Sequence, residues 1–298
     1  MDPDRALGAL LGSAVGDALG MPITGLSHQN VRTYYKGIKG YRDDAHRRDF
    51  EAGQWTAHTQ RTFALVRVLT ASPHNLLAAN RMIREELTLL DLRRDGEDST
   101  APTNALAACA APLGLIWSAQ EMARPEALLW VTTLGLPIQH HPRSLAAGFG
   151  QAYAVRKALT NVDGLDGPDL LGVLSRRVRQ VEDEHGGDHA VSGRLGTLIP
   201  HLNEFPLDLQ DRCNGTGSAA DEAFPFAVAM FARNPGLVEA TMLAAINVGG
   251  EASAIGAVTG ALLGAYNGWS AFPAAWREEL EDVGRLRAEA LRLVEALG

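Results

Sequence analysis

A single all-α domain spanning residues 1–298 is what this sequence predicts, and three observations predict it. Apolar residues recur at the three-to-four-residue spacing of helices along most of the chain, whereas the strict alternation of half-buried strands is rare. Hydrophobic residues make up 46% of the 298, enough to fill one large core. No composition shift or long linker divides the chain.

The first helix is expected over residues 4–20, where Leu7, Leu10, Leu11, Val15 and Leu19 share a face. Gly8, Gly12, Gly16 and Gly20 recur every four residues and form a flat surface that another helix can approach closely. Residues 25–52 hold turn residues and scattered charge. Their cluster Asp43, Asp44, His46, Arg47, Arg48 and Asp49 reads as a solvated loop rather than a metal site. A second helix follows Gly53, with Phe63, Leu65, Val66, Val68 and Leu69 as its apolar positions. Thr56 or Thr59 suits its N-cap, because a hydroxyl accepts the free N–H groups of a first turn. Residues 75–94 give another helix, with Leu76, Leu77, Met82, Ile83, Leu87 and Leu90 facing the core, and 95–99 a polar loop.

Residues 126–136 read helical up to Pro137, and an alanine-rich helix is expected from Arg143 to Leu159. After a turn-rich break at 161–168, residues 169–183 form a helix with Arg176, Arg177 and Arg179 on its polar face. Glu182 to His189, EDEHGGDH, reads as an exposed loop, although metals use such groups. Residues 190–213 are weakly patterned, with room for one short helix. Gly-rich turns at 214–217 and 249–250 each precede a helix, and residues 276–297 read as one charged amphipathic helix on the outside.

The formal net charge of −8 argues against a nucleic-acid or anionic-membrane surface. The first residues are acidic before they are apolar, the reverse of a signal peptide. No apolar run reaches the ~20 residues of a membrane helix. Cys109 and Cys213 are too few for a disulfide framework and fit a reducing compartment, so a cytoplasmic protein is expected. Cys109 has no cationic neighbour in sequence and reads as a small buried hydrophobe rather than a nucleophile.

Two distant stretches place short polar side chains at helix mouths, where anions and ligands are favoured. One is Trp55-Thr56-Ala57-His58-Thr59; the other is Gly249-Gly250-Glu251-Ala252-Ser253-Ala254. They resemble the signatures of the ADP-ribosylglycohydrolases, roughly W-T-D-D-T and G-G-D-x-D-T. Gly12 to Pro22 resembles that family's opening, G-x-x-x-G-D-A-L-G-x-P, with Asp17 and Pro22 matching. Pro102 to Leu115 is similar to its G-N-G-x-x-M-R-x-x-P-L-G-L, matching at Asn104 and Pro112-Leu113-Gly114-Leu115. His140, in Gln139-His140-His141-Pro142, matches its T-H-x-x-P-like segment, and Gly215-Thr216-Gly217 its Gly-rich turn. The resemblance implies an orthogonal multi-helix domain that removes ADP-ribose from adducts with two Mg²⁺ held by the signature carboxylates and threonines. It also implies a catalytic glutamate on a flap soon after Pro22. Thr56, Asn104, His140, Gly215, Thr216, Gly217 and Ser253 are its ligand-binding positions here.

The frames stand without most of the ligands. Ala57 and His58 occupy the first Asp pair, Glu251 and Ser253 the second, Ala254 the closing threonine and Thr24 the flap glutamate. Thr103 and Ala105 replace two glycines, Ala108-Cys109 the Met-Arg pair, and Ser218 a tyrosine-like position. Mg²⁺ demands near-octahedral oxygen ligands. Thr56, Glu251 and Ser253 are the oxygen donors left, and one carboxylate does not neutralise two divalent ions, so a dinuclear Mg²⁺ site is not expected.

Three readings remain. One is a degenerate homologue that binds ADP-ribose or a related nucleotide, as a sensor or as partner to another protein. The second is a hydrolase of altered chemistry, in which His58 and Glu251 bind one borderline metal such as Zn²⁺ or act as an acid–base pair. The third is a structural helical domain with a filled pocket. Asp43, Asp44 or Glu51 folding into the pocket would restore a lost ligand.

Overall fold

The computed structural model describes residues 1–44, 50–90, 100–161 and 164–298. Among them the chain is 71% helical and has no strand, as expected, and forms one compact domain. In order, the helices are α1 (Pro3–Gly20), α2 (His28–Asn30), α3 (Ala57–Ala71), α4 (Leu76–Leu89), α5 (Ala105–Cys109) and α6 (Ala111–Ala119). They continue with α7 (Arg124–Gly135), α8 (Pro142–Thr160), α9 (Gly167–His185), α10 (Ala190–Leu198) and α11 (Pro206–Arg212). The last are α12 (Ala223–Arg233), α13 (Val238–Ile246), α14 (Ala252–Asn267), α15 (Ala274–Glu278) and α16 (Val283–Leu297).

Helix α1 is the central strut. Asp2 caps it, accepting the Asp4 and Arg5 N–H groups at 2.9 and 3.3 Å, and Pro3 fills the first turn, where a missing N–H costs nothing. Every residue from Ala6 to Gly20 is buried. Together with the following turn it reaches 21 residues at a mean hydropathy of 1.4, the length and polarity of a membrane span. This corrects the expectation that no apolar run reaches the length of a membrane helix. Burial on all sides explains the composition, since a helix packed all round has no polar face.

The glycine stripe packs antiparallel against α14: Gly8 meets Gly264, Gly12 meets Gly260, and Gly20 meets Ala252. A Cβ on Gly16 would overlap the carbonyl of Gly256, and one on Gly256 that of Gly16, so the two backbones touch. The far ends are tied by Arg5, which donates to the Ala265 carbonyl at 2.9 Å and to the Ala158 carbonyl of α8 at 2.6 Å. Helix α3 packs on α1 and α5, with α16 outside it.

Several expectations need correction. Residues 25–52, where no helix was expected, hold α2 and a helical turn at Val31–Tyr35 that buries Val31 in the core. Leu77 points outward at 81% exposed, because α4 buries only Ala79 and Ile83 fully. Residues 190–213 form two helices rather than one. Glu182 is fully buried inside α9, where its carboxylate accepts the Val191 N–H at 3.0 Å and serves as the missing cap of α10. The C-terminal helix is interrupted between α15 and α16, where Glu281 donates its N–H to the Gly53 carbonyl at 3.0 Å. Of the charged cluster, His46, Arg47, Arg48 and Asp49 lie outside the described residues, as does the polar stretch 95–99.

Candidate functional site

The C-terminal end of α1 gathers the two signature stretches. Asp17, fully buried, sits under the first turn of α3. Its Oδ2 accepts the Thr56 N–H at 2.9 Å, the Thr59 N–H at 3.1 Å and the Thr59 hydroxyl at 2.6 Å, while Oδ1 accepts the Thr56 hydroxyl at 2.7 Å. A carboxylate here satisfies free N–H groups and opposes the positive end of the helix dipole. Thr56 is indeed the N-cap, its Oγ1 receiving the His58 N–H at 3.3 Å. Asp17 therefore orients Thr56 and Thr59, a role that its motif match alone did not reveal.

Four residues past the end of the same helix, Thr24 reaches the second signature. Its hydroxyl donates to the Gly20 carbonyl at 3.1 Å and accepts the Ser253 N–H at 2.9 Å, so it caps α14 from outside. The backbone beside it is pinned reciprocally, Gly25 N–H to Gly250 O and Gly250 N–H to Leu26 O, both at 2.8 Å. Further along, the Asn247 side chain pairs with Ile38, accepting its N–H at 2.6 Å and donating to its carbonyl at 3.0 Å.

The remaining sequence-predicted residues form a connected line. Glu251 donates its N–H to the Thr216 carbonyl at 2.7 Å, and the buried Thr216 hydroxyl donates to the Gly249 carbonyl at 3.2 Å. Gly250, at φ 72°, fits there because a Cβ would strike Thr216. Gly217 donates its N–H to Glu222 at 2.9 Å and accepts the Asn104 side-chain amide at 3.4 Å, while Gly215 donates to the Gln210 carbonyl at 3.0 Å. Two N–H groups of this turn are thus used internally. Gln139, fully buried, donates to the Thr103 hydroxyl at 3.0 Å and accepts the exposed His140 N–H at 3.0 Å, which fixes His140 near Asn104. His141, rather than His140, caps α8, with its Nδ1 accepting the Arg143 N–H at 3.2 Å. Burial, with the Arg143 charge next in weight, holds the His141 imidazolium below the usual histidine range.

His58 and Glu251 are not joined by a hydrogen bond. The His58 ring is 8% exposed and its Nδ1 has no protein partner, whereas Glu251 is half-buried with no side-chain capping bond. Ala254, at the closing position of the second signature, lies in an apolar contact with Ala108 and Ala257. Among the described residues no three His, Cys, Asp or Glu side chains gather as a metal site. Asp43 and Glu51 are exposed, and the Asp43 Oδ1 accepts the Ala52 N–H at 2.8 Å. Asp44 is buried but not free. Cys109 is buried in the core, as expected.

The whole chain, residues 2–298, matches the family model described as ADP-ribosylglycohydrolase. An uncharacterized protein of Archaeoglobus fulgidus is 28% identical over 310 aligned residues, covering 96% of this chain and 94% of that protein. The uncharacterized protein YegU of Escherichia coli is 23% identical with the same coverage of each, 96% and 94%. A solved structure titled as an ADP-ribosylglycohydrolase-related protein complex superposes with a TM-score of 0.74 over 99% of both chains at 24% identity, a likeness of fold.

Proposed function

Because the chain belongs to the ADP-ribosylglycohydrolase family, we propose that it binds ADP-ribose or a related nucleotide at the α3–α14 mouth without the dimagnesium hydrolysis its signatures imply. One observation carries this reading: the groups that two Mg²⁺ would need are absent or already used. Ala57 and Ala254 offer no donor, and Ala254 packs on Ala108 and Ala257. Both Asp17 oxygens are held by Thr56 and Thr59, and the Thr24 hydroxyl is held by Gly20 and Ser253. Mg²⁺ sheds water reluctantly and takes hard oxygen ligands, so a lone carboxylate beside an imidazole does not fit it. What stays is neutral and polar: the Thr56 hydroxyl keeps a lone pair, and the Asn104 amide and the Ser253 hydroxyl are suited to hydroxyls and phosphate oxygens. A sensing or partner-protein role in the cytoplasm follows as the proposed context.

Isothermal titration of ADP-ribose with and without Mg²⁺ tests this. Binding of equal strength in both conditions is expected. Binding that requires Mg²⁺ would overturn the metal-free reading, and no binding in either would favour a filled pocket. The free Nδ1 of His58 favours one second reading, an altered hydrolase using His58 and Glu251. Turnover of an ADP-ribosylated peptide that His58→Ala abolishes, with the fold intact, would establish it.

A further inference from the structure

We infer that the outer face of α4 is an interface between two copies of this chain, the two helices lying antiparallel across a two-fold axis at the level of Ile83. Leu77, Arg81, Glu85 and Leu89 stand four residues apart and form one row along the helix. Leu77 and Leu89 are 81% and 82% exposed, the barest large apolar side chains among the described residues. Arg81 and Glu85 are exposed as well, and among the described residues they bond neither each other nor any other side chain. The helix is held from one side only. Of its 14 residues Ala79 and Ile83 alone are fully buried, and Arg67 of α3 ties it down through Glu86 at 2.7 and 2.9 Å. Its neighbour α7 exposes Leu129, and Leu136 just past its end is exposed too. Single exposed leucines are ordinary, but a row with a leucine at each end beside two more is a surface that excludes water when covered.

The order of the row names the occupant. Counted from Ile83, the leucines lie six residues to either side, and the two charges lie two residues to either side with opposite signs. Ile83 itself is fully buried and points inward, so the middle of the outer face lies opposite it. A two-fold axis there carries each position to the one equally far beyond Ile83. Leu77 then meets Leu89 of the second copy, and Arg81 meets Glu85 of the second copy. Each contact is made twice, as an isologous interface requires. A hollow lined by Arg84, Glu85, Thr88 and Leu89 receives Leu77 of the second copy. Within one helix the same two charges gain little from each other, because the arginine precedes the glutamate, the weaker of the two orders. The row is thus its own complement, apolar to apolar and positive to negative. One helix face is smaller than the ~800 Å² per partner of a standard interface, so a dissociation constant in the micromolar range is expected.

Sedimentation velocity of the native chain from about 1 to 200 μM tests this, and a shift from monomer to dimer across that range is expected. Arg81→Glu makes both middle positions acidic and Glu85→Arg makes both basic. Each variant alone should dimerise about tenfold more weakly or worse, because like charges then face each other across the axis. Mixed in equal amounts, the two should pair within about threefold of the native strength, since every acidic position again meets a basic one. Leu77→Lys should weaken the dimer by a similar factor. Circular dichroism checks that each variant is folded; should Leu77→Lys not be, the charge variants and their mixture decide alone. A native chain that stays monomeric throughout would overturn the inference, leaving the face bare or covered by a different protein. So would a dimer, or a larger assembly, that the charge variants and their mixture leave unchanged.

Discussion

Asp17→Asn should unfold the protein more easily by about 2–4 kcal/mol, and it tests whether the first signature is held by a carboxylate from α1. The native group accepts four hydrogen bonds at 2.6–3.1 Å while fully buried. Hydrogen bonds to a charged acceptor contribute ~1.5–3 kcal/mol each, but four on one group do not add. An asparagine placed with its oxygen at Oδ2 keeps three acceptor bonds and loses only their charge assistance and the opposition to the α3 dipole. Its NH₂ then faces Thr56 Oγ1, which already accepts the His58 N–H. Those losses give the ~2–4 kcal/mol, which for a chain of this size lowers the melting temperature by several degrees. Urea unfolding followed by circular dichroism at pH 7 reads it, with an unchanged m-value showing that the native state stays compact. A loss below ~0.5 kcal/mol would refute the structural role. So would Mg²⁺ raising the stability of the native protein but not of Asp17→Asn, since Asp17 would then be a metal ligand.

Two further outcomes use the same melts. Gly256→Ala drives a methyl into the carbonyl of Gly16, a backbone atom that cannot rotate away, and should cost about 3 kcal/mol, whereas Gly193→Ala in α10 meets nothing within 4 Å and should gain roughly 0.5–1 kcal/mol; equal effects at the two sites would refute the close approach of α1 and α14. Burial pushes the Glu182 carboxyl up from the usual range despite its bonds to Ser192 and Val191, so its contribution to stability is present below the unfolded pKa and lost as pH rises through the folded one. Glu182→Gln should therefore gain in melting temperature relative to the native protein between pH 4 and 7, and a relative loss over that range would show the opposite shift.

The fold was legible where burial is written into local composition. Helix α1 and its glycine stripe can be read from spacing, because the partner must come close wherever side chains vanish every four residues. Thr56 as an N-cap was equally legible, being a local matter of hydroxyl and following N–H groups. Contacts between distant residues were not. Glu182 sits in a run of charges and glycines that looks exposed, yet it caps α10 from within α9. Residues 279–282 contain good helix formers, but the chain breaks there because Glu281 bonds Gly53 and receives the Trp55 indole N–H at 3.2 Å. Thr24 was legible as a departure from the family's flap glutamate but not as a cap, since Ser253 lies 229 residues away.

Those same contacts explain why this chain still reads as a family member. The positions that match the signatures are the ones the fold uses: Asp17 with Thr56 and Thr59, Gly16 against Gly256, Gly250 under Thr216, and Trp55 on the α15–α16 break. Each would cost stability if replaced, whatever the site does. Ala57, His58 and Ala254 are different, because the fold asks little of their side chains beyond volume: one is a helix start, one has an orphaned nitrogen, one touches two alanines. Thr24 belongs to neither group, since its hydroxyl caps α14. The scaffold of the two signatures thus rests on contacts that the side chains of Ala57, His58 and Ala254 do not make, and it would stand whether or not a metal is held between them.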